Sequence, residues 1–322
     1  MEQVGRLRLP SAAGFRNKYF SKLRERESVK SFNYVVCFGD ESLLTASNDD
    51  GEMSLLQVRE RSMLQKPFLL KSPWVELWGR RARYLCDRPI HAADPLLGWG
   101  LEIEDLVTLI WQPEERRVEY IRGKHFTSQK LRYWVLHAFL PLVFELEGRW
   151  RMLHAGAVSV GGSALVFTAP SYGGKSTLTG YFLKRGHRLF SDDALAIEKR
   201  DSTYYAIPSY PFHRPYRKVE SLGEQAGNFA SGPAEIRALY RLERINTGTD
   251  IEIEALQGIG KFKALYESAF VDFDFLKRER FAYFSDMARA LPVYRLAVPW
   301  DRNRLPEVHE AVTAHFEGIE KR

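Results

Sequence analysis

Gly173, Gly174, Lys175 and Ser176 have the types and spacing needed to hold a polyphosphate, within the run Ala169-Pro170-Ser171-Tyr172-Gly173-Gly174-Lys175-Ser176-Thr177. Consecutive backbone N–H groups opening a helix bind phosphate oxygens, and glycine lets the main chain come close to them. Lys175 supplies a point charge and the Ser176 hydroxyl a ligand for Mg²⁺. Ser171 to Thr177 are therefore the expected nucleotide-binding residues: Ser171, Tyr172, Gly173, Gly174, Lys175, Ser176 and Thr177. Ala169 stands where the full pattern G-x-x-x-x-G-K-[ST] has Gly, and the chemistry tolerates it if φ there stays below zero.

Such a loop works only between a strand and a helix, and both are legible. Ser163 to Thr168 is a short apolar run, and Ser176 to Arg185 has helical spacing and stops at Gly186. Upstream, Leu153 to Val160 is strand-like and turns at Gly161-Gly162, which brings His154 into the same sheet as Lys175. Downstream, the strand Arg188 to Phe190 delivers Ser191-Asp192-Asp193 at its carboxyl end, where an acidic pair can face a metal and a terminal phosphate. An Asx turn or helix cap is the structural alternative for the two acids, and a satisfied structural role the alternative for the histidine.

His154, the loop at 171–177, Lys184-Arg185-Gly186-His187-Arg188-Leu189 and Asp192-Asp193 resemble the catalytic domain of HPr kinase/phosphorylase. The spacings fit too: 21 residues from His154 to Lys175 and 18 from Lys175 to Asp193. Pro208-Ser209-Tyr210-Pro211-Phe212-His213-Arg214 is similar to the Pro, Tyr-Pro and basic pattern of the wider HPr-kinase-related kinases, among them kinases of lasso-peptide precursors. The resemblance covers residues 150–220 well and the rest of the carboxyl half loosely. It implies ATP and Mg²⁺ as cofactors, Asp193 as the general base, Asp192 as a metal ligand beside Ser176, His154 as a catalytic residue that orients phosphate or acceptor, and Arg214 as a substrate contact. Two departures stand against HPr itself as acceptor and against phosphorolysis. Phe212-His213-Arg214-Pro215 lacks the family's metal-binding Glu, and Thr177 stands where the parent enzyme has Glu.

The remainder of the chain must build the frame. Its 322 residues, 45% hydrophobic and 27% charged, suit a globular protein of one large or two smaller domains. Cys37 and Cys86 have no metal-ligand spacing, and no apolar stretch is long enough to span a bilayer, so a cytoplasmic location is expected. Residues 1–30 form a basic arm without the apolar core of a signal peptide; eight Lys or Arg against three Glu give it +5 of the chain's +6. The arm could meet an anionic partner or be a solvated leader. Nucleic acid is not expected, since neither stacking aromatics nor a recognition motif accompanies it.

Residues 31–126 alternate as strands, with a hairpin over 107–122, and predict a β-rich domain for acceptor recognition. Trp74, Trp78 and Trp99 could line a groove there, though core packing is the default for such side chains. Ser128 to Trp150 predicts one long amphipathic connecting helix, 127–150, kinked at Pro141. Residues 151–322 then form the catalytic domain. Strands at 239–245, 251–256 and 293–298 alternate with helices at 259–270, 275–291 and from Pro306, and 221–233 looks like an active-site loop or lid.

The expected fold is thus α/β: a P-loop kinase core resembling HPr kinase and phosphoenolpyruvate carboxykinase, with a smaller β-rich domain before it. The expected activity is ATP- and Mg²⁺-dependent transfer of the γ-phosphate to a hydroxyl acceptor, either Ser or Thr of a peptide or protein or a sugar or metabolite hydroxyl. A homo-oligomer is compatible with this. The alternatives are a nucleotide-dependent binding module without transfer and, on the basic arm alone, a nucleic-acid-handling ATPase.

Overall fold

The computed structural model describes residues 28–39, 54–64, 67–214 and 218–320; the basic arm apart from its last three residues lies outside them. The protein is a mixed α/β chain with two large sheets and a small two-stranded one.

The first sheet holds β1 (Ser28–Ser31), β2 (Tyr34–Phe38), β3 (Ser54–Glu60), β4 (Leu70–Lys71), β5 (Val75–Leu77), β6 (Arg80–Cys86), β7 (Trp99–Ile103), β8 (Val107–Gln112) and β9 (Arg117–Arg122). Their order is β1-β2-β3-β9-β8-β7-β6-β4, with β5 on β6. The expected hairpin is β8 on β9, from Val107↔Arg122 to Gln112↔Arg117. Both cysteines are buried thiols, and burial pushes that of Cys86 up to about 11.

The connecting segment departs from the expected single amphipathic helix. It is α1 (Ser128–Tyr133), a π-helical turn (Trp134–Phe139) and α2 (Leu140–Leu146), and every residue from Tyr133 to Leu146 is buried. A helix apolar all round belongs inside a core, and this one packs between the first sheet and the carboxyl half. Pro141 explains the π turn. It has no N–H to continue the ladder, and just before it the Leu140 N–H reaches five residues back to the Val135 carbonyl, so the register widens instead of breaking.

The second sheet contains β10 (Arg151–Val160), β11 (Ser163–Thr168), β12 (Leu189–Ser191), β13 (Ala194–Arg200), β14 (Thr203–Ile207), β17 (Ala234–Ile245), β18 (Glu252–Ala255) and β19 (Val293–Pro299). Two long strands change neighbours along their length. β10 pairs β13 over Arg151 to His154, then β12 and β11, while β17 pairs β14 at its start and β11 and β19 further on. The fork in β10 falls at His154, where the Ala155 N–H already bonds the Asp193 carbonyl.

One face of this sheet is covered by α3 (Lys175–Lys184) and α6 (Leu305–Glu320), the other by α4 (Gly258–Tyr266) and α5 (Lys277–Ala290). The pair β13 and β14 was not foreseen. Asp201-Ser202 joins them as a tight hairpin, with Asp201 in the left-handed region. The stretch 221–233 is tethered where a lid was expected: β16 (Glu224–Gln225) pairs β15 (Phe212–His213), and the Ala230 N–H bonds the Leu189 carbonyl.

Helix α3 lies close on β10 because Gly156 has no side chain. A Cβ there would stand 2.4 Å from the Thr179 hydroxyl, itself fully buried. Gly156→Ala is therefore expected to cost about 1–3 kcal/mol by overpacking. Denaturant unfolding checks it, and an unchanged midpoint would show that α3 shifts freely.

Candidate active site

The loop is shaped by three backbone features. Gly174 sits at φ 93° just before α3, a conformation that glycine adopts without strain. Gly173 has another reason: a Cβ there would stand 2.5 Å from the Ala169 Cβ, and its N–H closes a turn on the Pro170 carbonyl at 2.9 Å. Ala169 is absent from the positive-φ residues of the described chain, so it meets the condition set by the sequence. Tyr172, exposed at the tip, is held at φ 63°, an uncommon place for a side-chain-bearing residue. Lys175 is buried, and its Nζ donates to the Ala169 carbonyl at 2.9 Å, which holds the two ends of the loop together.

Asp192 and Asp193 form the bend between β12 and β13 and address different groups. Asp193 Oδ1 takes a 2.7 Å contact from His154 Nδ1, and its Oδ2 lies 3.3 Å from an Arg214 guanidinium nitrogen and 3.5 Å from His137 Nε2. Burial works against its charge. The His154 hydrogen bond, with the charges of His137, His154 and Arg214, outweighs that and holds the carboxyl well below the usual range.

Asp192 faces the loop helix instead. Its Oδ2 accepts the Arg214 backbone N–H at 2.8 Å, and His213 Nε2 lies 3.8 Å from Oδ1 while bonding the Ser176 carbonyl at 2.8 Å. Burial pushes the Asp192 carboxyl up, opposed by His213 and the Arg214 amide. The Asp192 Oδ1 atom is buried without a hydrogen-bond partner.

That bare oxygen is what a metal ligand looks like without its metal, and with the neighbouring Ser176 hydroxyl it fits Mg²⁺, a hard ion that completes its shell with water and substrate phosphates. Among the described residues there is no group of three or more acidic, histidine or cysteine side chains able to hold a metal alone. Asp192→Asn is expected to raise the Mg²⁺ requirement, with partial rescue by excess metal. The metal-free protein should melt higher, since a buried carboxylate whose charge burial disfavours is replaced by a neutral amide. Thermal melts across a magnesium titration check both, and unchanged magnesium dependence would remove Asp192 from the metal site.

Arg214 is buried with its guanidinium 5.2 Å from the Tyr133 ring, between Asp193 and His137. His137 was not singled out in the sequence, although it completes this cluster. It is buried on the π-helical turn, its Nδ1 2.9 Å from the Tyr210 hydroxyl. Its only sequence signal is a histidine ahead of Pro141 in an otherwise apolar run. Gly180 lets His213 pack on α3, since a Cβ would stand 2.6 Å from that imidazole.

His154, Asp193 and Arg214 share a cavity of about 560 Å³ with Ser171 and Tyr172 of the loop. The amino half supplies one wall through Trp78, held at φ 49° in the β5–β6 turn and stacked 5.5 Å from Phe270. Trp99 and Trp134 are core residues, and Trp74 stacks under Arg83 at 4.5 Å. Glu220 ties this wall down, taking two bonds from Arg80 (2.7 and 3.0 Å) and one from Trp134 Nε1 (2.8 Å).

No family model matches the chain, and no curated protein matches it. Among solved structures it is similar to the Hpr(Ser) kinase/phosphatase from Coxiella burnetii, at a TM-score of 0.33 and 13% identity, over 53% of this chain and 93% of that one. This is a distant, partial likeness of fold. Among the described residues no helix is long and apolar enough to cross a membrane.

Proposed function

We propose that this chain is an ATP- and Mg²⁺-dependent phosphotransferase acting on a hydroxyl acceptor. One observation carries the reading: the loop and a carboxylate held ionised open into the same cavity. The loop amides and Lys175 would hold the phosphates, and Ser176 and Asp192 would hold Mg²⁺, which would neutralise charge on the phosphate oxygens. Arg214 stands beside Asp193, where charge develops on the transferred group.

In the transfer, the acceptor oxygen bonds to the γ-phosphorus as the bond from that phosphorus to the β–γ bridging oxygen breaks, and ADP leaves. The acceptor proton passes to the Asp193–His154 pair. A carboxylate with a depressed pKa is a weak base. That suffices in a loose transition state, where the nucleophile is little bonded to phosphorus and positioning matters most. His154 fixes one Asp193 oxygen, which leaves the Arg214 side to open toward the acceptor.

A second reading, a module in which nucleotide orders a partner surface without transfer, draws on Asp193 Oδ2 being engaged by Arg214. Incubation of purified protein with γ-labelled ATP and fractionated lysate separates the two. Label on a protein or small molecule supports transfer and reports the acceptor class; nucleotide binding with label found only in ATP or free phosphate supports the module.

A further inference from the structure

We propose that the cleft on the far side of the loop from Asp193 is the subsite for the base and ribose of the nucleotide, with Trp300 as its stacking platform. The inference rests on the reading of 171–177 as a nucleotide loop and adds where the rest of the nucleotide goes.

Three cavities border the loop. Ser171 and Tyr172 line the one that holds His154, Asp193 and Arg214; Gly173, Gly174 and Thr177 line a second, of about 180 Å³; a third runs along α3 past Ser176, Thr177, Lys184 and His213 and has no aromatic face free to take a base beyond Tyr181. A triphosphate lying on the loop has two ends. Its γ end must meet the ionised carboxylate, so its α end, ribose and base leave toward Gly174 and Thr177.

The second cleft has the chemistry for that end. Its walls are Leu242, Val298, Leu305 and Trp300, with the cations Arg244 and Arg302 at its rim. Trp300 is 52% exposed, whereas the other six tryptophans are buried or half-buried. Arg244 already covers its ring at 3.3 Å from the centroid, a stacked pair of the kind that receives a base. The ring reaches the loop itself, its Cζ3 lying 3.3 Å from where a Gly174 Cβ would stand.

Backbone bonds fix the platform. The Trp300 N–H bonds the Ile245 carbonyl at 3.1 Å. The acid in the cleft, Asp301, is engaged at 2.9 Å by the Asn303 N–H. Arg302 is then the cation for the α-phosphate or ribose. Stacking on a ring face reads no base edge, so Trp300 supplies affinity for a base without choosing which.

The test compares MgATP with magnesium tripolyphosphate, which has the phosphates and no base, by calorimetric titration of the full chain. Trp300→Ala is expected to weaken MgATP by about 10-fold or more, within the range for losing a base–aromatic stack, and to leave tripolyphosphate unchanged. Trp300→Phe should retain MgATP binding within about 3-fold, since it keeps an aromatic face. Unchanged tripolyphosphate binding also reports that the variant is folded. Equal loss of both ligands, or loss of neither, overturns the base subsite and leaves the loop reading standing. Failure of the wild-type protein to bind either ligand overturns both.

Discussion

Lys175→Ala is expected to weaken MgATP binding by about 10- to 100-fold, the range for losing a charged hydrogen-bonding group, because only the amide cradle remains. Transfer should fall further, by about 10²–10³-fold, since the charge also acts on the transition state. Lys175 is buried and bonds the Ala169 carbonyl, so its removal also unties the loop. Lys175→Met controls for this by keeping the stem. It should lose as much transfer as the alanine variant while melting closer to wild type. Wild-type transfer in either variant would take the loop out of the mechanism.

Asp193→Asn separates binding from chemistry. Asp193 is met by His154, Arg214 and His137 at 2.7, 3.3 and 3.5 Å, and none of the three belongs to the loop at 171–177. Nucleotide affinity should therefore stay near normal while transfer drops by about 10²-fold or more, as for loss of a positioned general base. The competing Asx-turn account predicts an active variant, since Asn makes the same turn.

The pH dependence has a definite sign. Asp193 is depressed in the folded state, so its contribution to stability is complete above the unfolded carboxylate value and fades as pH falls through the lower folded one. The stability gap between wild type and Asp193→Asn should accordingly be widest at neutral pH and narrow in strong acid. Denaturant midpoints across pH measure it, and a gap that grows on acidification would contradict the charge cluster.

The loop, its strand, its helix and the acidic pair were legible because each is a local signal: an apolar run, a glycine turn, a helical period. The β10–β11 hairpin was equally plain from Gly161-Gly162. What failed to show was whatever depends on distant partners. His137 lies 56 residues before Asp193, and only the packing of a fully buried helical segment brings it there. The spacing of Leu131, Val135 and Leu142 suggests one apolar stripe, while Tyr133, His137 and Glu145 are buried as well. Some of the buried polar residues find their partners far along the chain, as His137 does in the Tyr210 hydroxyl. Trp78 was visible as an aromatic, but its place against the carboxyl half follows from a left-handed turn that Trp-Gly does not announce.

The central claim is that the γ-phosphate moves to a hydroxyl. Phosphorus NMR of a time course with MgATP and an acceptor-bearing fraction measures this directly. The account predicts a phosphate monoester appearing in step with ADP, and its loss in Asp193→Asn. Accumulation of inorganic phosphate alone, or ATP that is bound and never consumed, would contradict it.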